Sequence, residues 1–308
     1  MEKVITVSNL VKKYHDVVAL DGVSFDIFKG EVFSLVGPNG SGKTTTVEIL
    51  ECLRKPSSGS AKVLGFDILK DELEIKKRIG VVPQEFNTFE RLTVKENVQL
   101  ISEIYAKKSD IKSLLEDMDL WEIRNKRFGT LSGGQKRRVG IAMALISDPE
   151  IVFLDEPTTG LDPVSRRECW EFIRKLRKSG KTVFLTTHYM EEVEQLSDRI
   201  SIIIKGKILN TGTVKELINQ YGMGSRVIIK EPDLKIETVL KKYAEKTYKD
   251  DLNHLIGTFS NRKDALKALS DIYNANENCK VELIESSMEE VFINIAGKRI
   301  NERGELVE

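Results

Sequence analysis

Short apolar runs alternate with stretches of helical periodicity through the first two-thirds of the chain. Val32–Val36, Ile79–Val82, Ile151–Leu154 and Thr182–Thr186 are rich in apolar and β-branched residues, as strands buried on both faces of a parallel sheet are. Between them, Thr44–Cys52 reads as a helix. Thr93-Val94-Lys95-Glu96 and Thr213-Val214-Lys215-Glu216 fit a helix start in which a hydroxyl and a glutamate satisfy free backbone N–H groups. Strands alternating with helices predict an α/β domain built on a mostly parallel sheet.

A glycine-rich break at Tyr221-Gly222-Met223-Gly224-Ser225 predicts a boundary. Beyond it, Val227–Ile229, Leu255–Phe259 and Val281–Ile284 read as strands, and the stretches near Thr238–Glu245 and Arg262–Tyr273 as helices. Ser287-Met288-Glu289-Glu290 opens a last helix that places Met288, Val291, Phe292 and Ile295 on one apolar face. The expected division is a domain over 1–222, a small α+β domain over 223–297 and a frayed polar tail over 298–308.

Of the 308 residues, 40% are apolar and 31% charged, the balance of a globular chain rather than a disordered one. Lys plus Arg and Asp plus Glu both total 48, so no basic surplus asks for a nucleic-acid partner. Cys52, Cys169 and Cys279 form no CxxC pair, and the histidines are scattered, so neither a disulfide framework nor a metal cluster is predicted. The N-terminus, Met1–Val7, is a short alternating stretch unlike a signal peptide. No apolar run approaches the roughly 20 residues that span a bilayer. Work at a membrane would therefore need another chain.

Two stretches carry phosphate chemistry. Gly37-Pro38-Asn39-Gly40-Ser41-Gly42-Lys43-Thr44 matches G-x-x-x-x-G-K-[ST] between a predicted strand and a predicted helix. Its glycines let backbone N–H groups converge on phosphate oxygens, and the helix adds its positive end. Lys43 can reach the terminal phosphates, the Thr44 hydroxyl is placed for Mg²⁺, and Thr45 follows in the same helix start. Downstream, Ile151–Leu154 runs into Asp155 and Glu156. A carboxylate at Asp155 can hold Mg²⁺, and one at Glu156 can orient the attacking water.

Leu131-Ser132-Gly133-Gly134-Gln135 resembles the signature motif of ABC ATPases. Ser132 and the glycines open a helix with Val139, Ala142 and Leu145 on its apolar face, a second place where helix-start N–H groups can meet an anion; Ser132 is equally a helix N-cap. The resemblance covers about residues 4–220. It implies a P-loop NTPase of ABC type with a mostly parallel core sheet, an antiparallel β subdomain and a helical subdomain, acting as a head-to-tail pair. In such a pair each ATP lies between one copy's phosphate loop and the other copy's Ser132, Gly133, Gly134 and Gln135. It further implies that Tyr14 stacks on adenine, that Gln84 senses Mg²⁺ and the attacking water, that Asp162 contacts the partner subunit, and that His188 contacts the γ-phosphate. Asp162 before Pro163 is also a strong N-cap with proline at the first helical position. His15, His254 and Lys136-Arg137-Arg138 read as solvated.

Other P-loop classes fit less well: Asn125-Lys126-Arg127-Phe128 lacks the aspartate of a GTPase base-recognition motif, and no long coiled coil separates the phosphate loop from Asp155. Ser287–Gly297 resembles the ending of drug-exporter ATPase subunits of the ABC-2 kind. The resemblance implies an ATP- and Mg²⁺-dependent ATPase, peripheral at the cytoplasmic face of the cell membrane, powering a separate transmembrane permease for export. Glu85–Tyr105 would meet that permease, though its charges suit solvent equally well. A soluble ABC ATPase working on a cytosolic assembly stays open as the alternative.

Overall fold

The computed structural model describes residues 2–105, 110–301 and 303–307; Met1 of the N-terminal stretch and positions 302 and 308 of the polar tail lie outside it. The chain divides into two compact units, Met1–Val214 with Ile300–Glu308, and Lys215–Arg299.

The first unit is organised by a six-stranded sheet in the order Lys207–Thr213, Arg199–Ile204, Val32–Val36, Thr182–Thr187, Ile151–Asp155, Ile79–Val82. All neighbours run parallel except Lys207–Thr213, which is antiparallel to Arg199–Ile204. Val32–Val36, Ile151–Asp155 and Thr182–Thr187 are buried along their whole length, which explains their lack of polar alternation. Register pairs Val36 with Thr187 and Asp155 with Thr186, so the loops after these strands leave from one edge of the sheet. Ligand sites of open α/β sheets form at that carboxyl edge.

Val17–Phe28, Lys3–Tyr14, Ser58–Val63 and Phe66–Asp67 form a separate antiparallel sheet in that order. One core joins it to the main sheet, with Phe25, Phe33 and Phe184 stacked at centroid distances of 5.3 to 6.0 Å. A second core gathers Val94, Val98, Leu115, Phe128, Val139 and Ile141 from the helical region with Trp170 and Ile173. The Thr93–Glu96 start is a complete capping box on the helix Val94–Ile104.

The second unit holds a four-stranded antiparallel sheet, order Lys246–Lys249, Leu255–Phe259, Ser225–Ile229, Val281–Ile284. Helices Leu234–Tyr243 and Arg262–Ala275 lie between its strands in sequence, which makes the split βαββαβ arrangement. Ile236 and Leu240, and Ala265, Ala268 and Ile272, follow helical spacing and share one core with Val227, Ile229 and Phe259. The helix Met288–Ala296 buries Met288, Val291 and Phe292, with Ser287 accepting from the Glu290 N–H and Gly297 ending it in the left-handed conformation. His254, expected in solvent, is half-buried and its Nδ1 lies 2.9 Å from Asp250 Oδ2.

Candidate functional site

The loop Gly37–Gly42 leaves the carboxyl end of Val32–Val36 and enters the helix Lys43–Leu50. Gly42 caps this helix at φ 107°, a conformation other residues rarely adopt, and offers no side chain to its first N–H groups. Those donors face a cavity of about 440 Å³, lined by Asn39, Gly40, Gly42, Lys43, Thr44 and Thr45 of the loop together with Gln84, Glu156 and Ala19. The Ser41 hydroxyl is buried without a hydrogen-bond partner.

Lys43 is buried and donates to the carbonyls of Gly37 at 2.7 Å and Pro38 at 3.2 Å; its Nζ lies 3.1 Å from Glu156 Oε1. Glu156 follows the strand Ile151–Asp155 at φ 47°, a left-handed conformation unfavourable for a glutamate. Its N–H donates to the carbonyl and hydroxyl oxygens of Thr186, which fixes the turn. Its Oε2 meets His188 Nδ1 at 2.8 Å and accepts from the Thr159 hydroxyl at 3.1 Å. Burial works to raise the Glu156 pKa, but the hydrogen bond from His188 and the charge of Lys43 outweigh it, so the carboxylate is held ionised below its ordinary range. Asp155 goes the other way: burial pushes it up against the hydroxyls of Thr186 and Thr44. Asp155, Thr44 and Gln84 offer oxygen donors only, the chemistry of a hard divalent cation completed by phosphate oxygens.

Two tail residues sit on the same loop. The Asn39 N–H donates to the Gly304 carbonyl at 2.5 Å and Asn39 Nδ2 to the Arg303 carbonyl at 2.7 Å. The tail is thus held at this point rather than frayed.

Other residues singled out above lie away from the cavity. Ser132 and Gln135 make a reciprocal capping box on the helix Gly133–Leu145. A Cβ on Gly134 would come within 2.5 Å of Ser165 Oγ, so this glycine permits close packing of the next helix start. Gly133 meets no such obstacle, only Leu161 at 3.8 Å. Tyr14 is half-buried with Lys12 and Arg54 over its ring. Asp162 is an N-cap: Oδ1 accepts from the N–H groups of Val164 and Ser165, and Oδ2 from the Ser165 hydroxyl, with Pro163 next. Asp162→Ala should therefore lower the midpoint of urea denaturation; an unchanged midpoint would mean that the cap adds nothing to stability.

A further reading is overturned. Arg137 is not solvated but 8% exposed, with its donors spent on backbone carbonyls of Pro83, Asp155, Glu156 and Pro157. The helix Gly133–Leu145 packs against the sheet on the side that carries Arg137, so its charge faces inward. Ala19 and Thr186 were also missed, being chemically plain residues placed by strand pairing.

A family model described as ABC transporter matches residues 20–159. The daunorubicin resistance ATP-binding protein DrrA3 of Streptomyces coeruleorubidus is 36% identical, across 97% of this chain and 98% of that protein. Nod factor export ATP-binding protein I of Burkholderia pseudomallei (strain K96243) is 40% identical across 77% and 80% respectively. Among solved structures, the dimeric bacterial ABC transporter cassette MJ0796 shares 31% identity at a TM-score of 0.62, over 68% of this chain and 98% of that one. With a phosphate loop, an ionised carboxylate beside its lysine and a likeness that runs the length of a relative, this chain belongs to the ABC transporter ATP-binding family and is an ATPase.

Proposed function

We propose that two copies of this chain close head to tail on two ATP molecules and that their cycle drives a separate membrane-spanning permease for export. The observation that carries this reading is the separation of two phosphate-suited helix starts. The loop Gly37–Thr44 lines the cavity beside Glu156, whereas Ser132–Gln135 does not line it. A second copy brings its own Ser132 turn to the exposed triphosphate. The dimeric relative among the solved cassettes supports the arrangement.

Lys43 and the helix-start N–H groups hold the phosphates. Glu156 takes the proton of the attacking water, and His188, bonded to its Oε2, holds it in place and faces the γ-phosphate. Thr44, Gln84 and Asp155 would hold Mg²⁺, which would supply positive charge against the phosphates. Tyr14 supports adenine, and Asp162 meets the partner copy besides capping its own helix.

No described helix is long and apolar enough to cross a membrane. The chain then acts as a peripheral subunit at the cytoplasmic face of the cell membrane, with a permease supplying the path. An apolar hollow of about 350 Å³ lined by Leu53, Val81, Phe86, Ile101, Tyr105 and Met143 supports that contact. Relatives named for drug resistance and Nod factor export point to an organic compound as cargo.

The test is the mass of Glu156→Gln with saturating Mg-ATP in analytical ultracentrifugation. A dimer that dissolves with ADP is expected; a strict monomer, alone and beside a co-purified permease, would sink the reading.

A further inference from the structure

Arg137 carries more than a packing role. A guanidinium stays charged even where burial pulls its pKa down, as it does here. Burying such a charge is unfavourable unless every donor is satisfied. Among the described ion pairs none includes Arg137, and its donors go instead to carbonyls. Nε donates to Pro157 O at 2.7 Å, Nη1 to Pro83 O at 2.7 Å with Gln84 O at 3.5 Å, and Nη2 to Asp155 O at 2.9 Å and Glu156 O at 2.8 Å.

These carbonyls belong to two segments only. One is the turn bearing Asp155 and Glu156, where Glu156 sits at φ 47° with its N–H tied to Thr186. The other is the stretch after the strand Ile79–Val82, which carries Gln84 into the phosphate cavity. A planar fork can hold five carbonyls from two chain segments at fixed angles; a lysine ammonium cannot.

We propose that Arg137 is a positioning residue for hydrolysis: its guanidinium holds the left-handed Glu156 turn in place and ties it rigidly to the Gln84 segment. A displacement of the Gln84 segment then reaches the carboxylate through one side chain rather than through the nucleotide. The signature helix, from which Arg137 projects, becomes the third member of the linkage. The inference rests on reading Glu156 as the carboxylate that activates water.

The experiment is steady-state ATP hydrolysis by full-length Arg137→Lys, normalised to folded protein, with Glu156→Gln run beside it. Arg137→Lys should lose at least about tenfold in kcat while KM for ATP stays within about threefold, because the Lys43 loop is untouched. A role in stability alone would lower the melting temperature and leave kcat per folded molecule unchanged. If Glu156→Gln is slow and folded Arg137→Lys turns over at the parental rate, the inference is overturned. If Glu156→Gln itself hydrolyses normally, the reading of Glu156 fails instead. Should Arg137→Lys not fold, the unmodified chain decides through ¹⁵N-arginine NMR. Mg-ATP should shift the Arg137 Nε–H resonance, and a resonance indifferent to nucleotide overturns the linkage.

Discussion

Glu156→Gln lowers ATP turnover by about 10²–10⁴-fold, the range of general-base assistance, while ATP still binds. Three observations set this expectation. Glu156 Oε1 lies 3.1 Å from Lys43, Oε2 lies 2.8 Å from His188, and the group is ionised, so it can take a proton. The amide keeps the shape and can still meet His188 and Thr159, but it has no charge to accept the proton. Lys43 retains two carbonyl acceptors in the variant, so the fold survives. Phosphates then supply the counter-charge that Lys43 has lost. The variant should accordingly gain more thermal stability from ATP than the parent does. A phosphate-release assay that finds parental turnover removes Glu156 from the chemistry.

Lys43→Ala has the opposite signature, with binding lost first. Charge-assisted hydrogen bonds contribute roughly 1.5–3 kcal/mol each. Two of them to the terminal phosphates amount to about 3–6 kcal/mol, or about 10²–10⁴-fold in Kd. The substitution also leaves Glu156 buried with His188 as its remaining basic neighbour, which weakens the turn around it. Displacement of a fluorescent ATP analogue measures the effect. A Kd within about threefold of the parent would mean that the backbone donors of the loop hold ATP unaided.

The phosphate loop, the acid pair and the core strands were legible because each is written in contiguous residues whose pattern has a physical cause. The strand pair Lys3–Tyr14 and Val17–Phe28 was seen only as a short N-terminal stretch. Its register shifts near Lys3, Val7, Leu10 and Lys12 break the two-residue alternation that would have revealed it. Arg137 was hidden for a different reason. It stands in a run of three cations at a helix start, a pattern that is usually solvated. Its partners are main-chain carbonyls, which leave no mark in the side-chain code. The same holds for Arg303 and Gly304, whose carbonyls meet Asn39 from the far end of the chain. Sequence reading finds chemistry carried by side chains; it does not find backbone acceptors delivered by folding.

The grip of Arg303 and Gly304 on Asn39 bears on how the protein is handled at the bench. A deletion of residues 298–308 removes both acceptors. Such a deletion acts on Asn39, which lines the cavity beside Lys43. Kinetic constants from such a preparation would describe a modified enzyme.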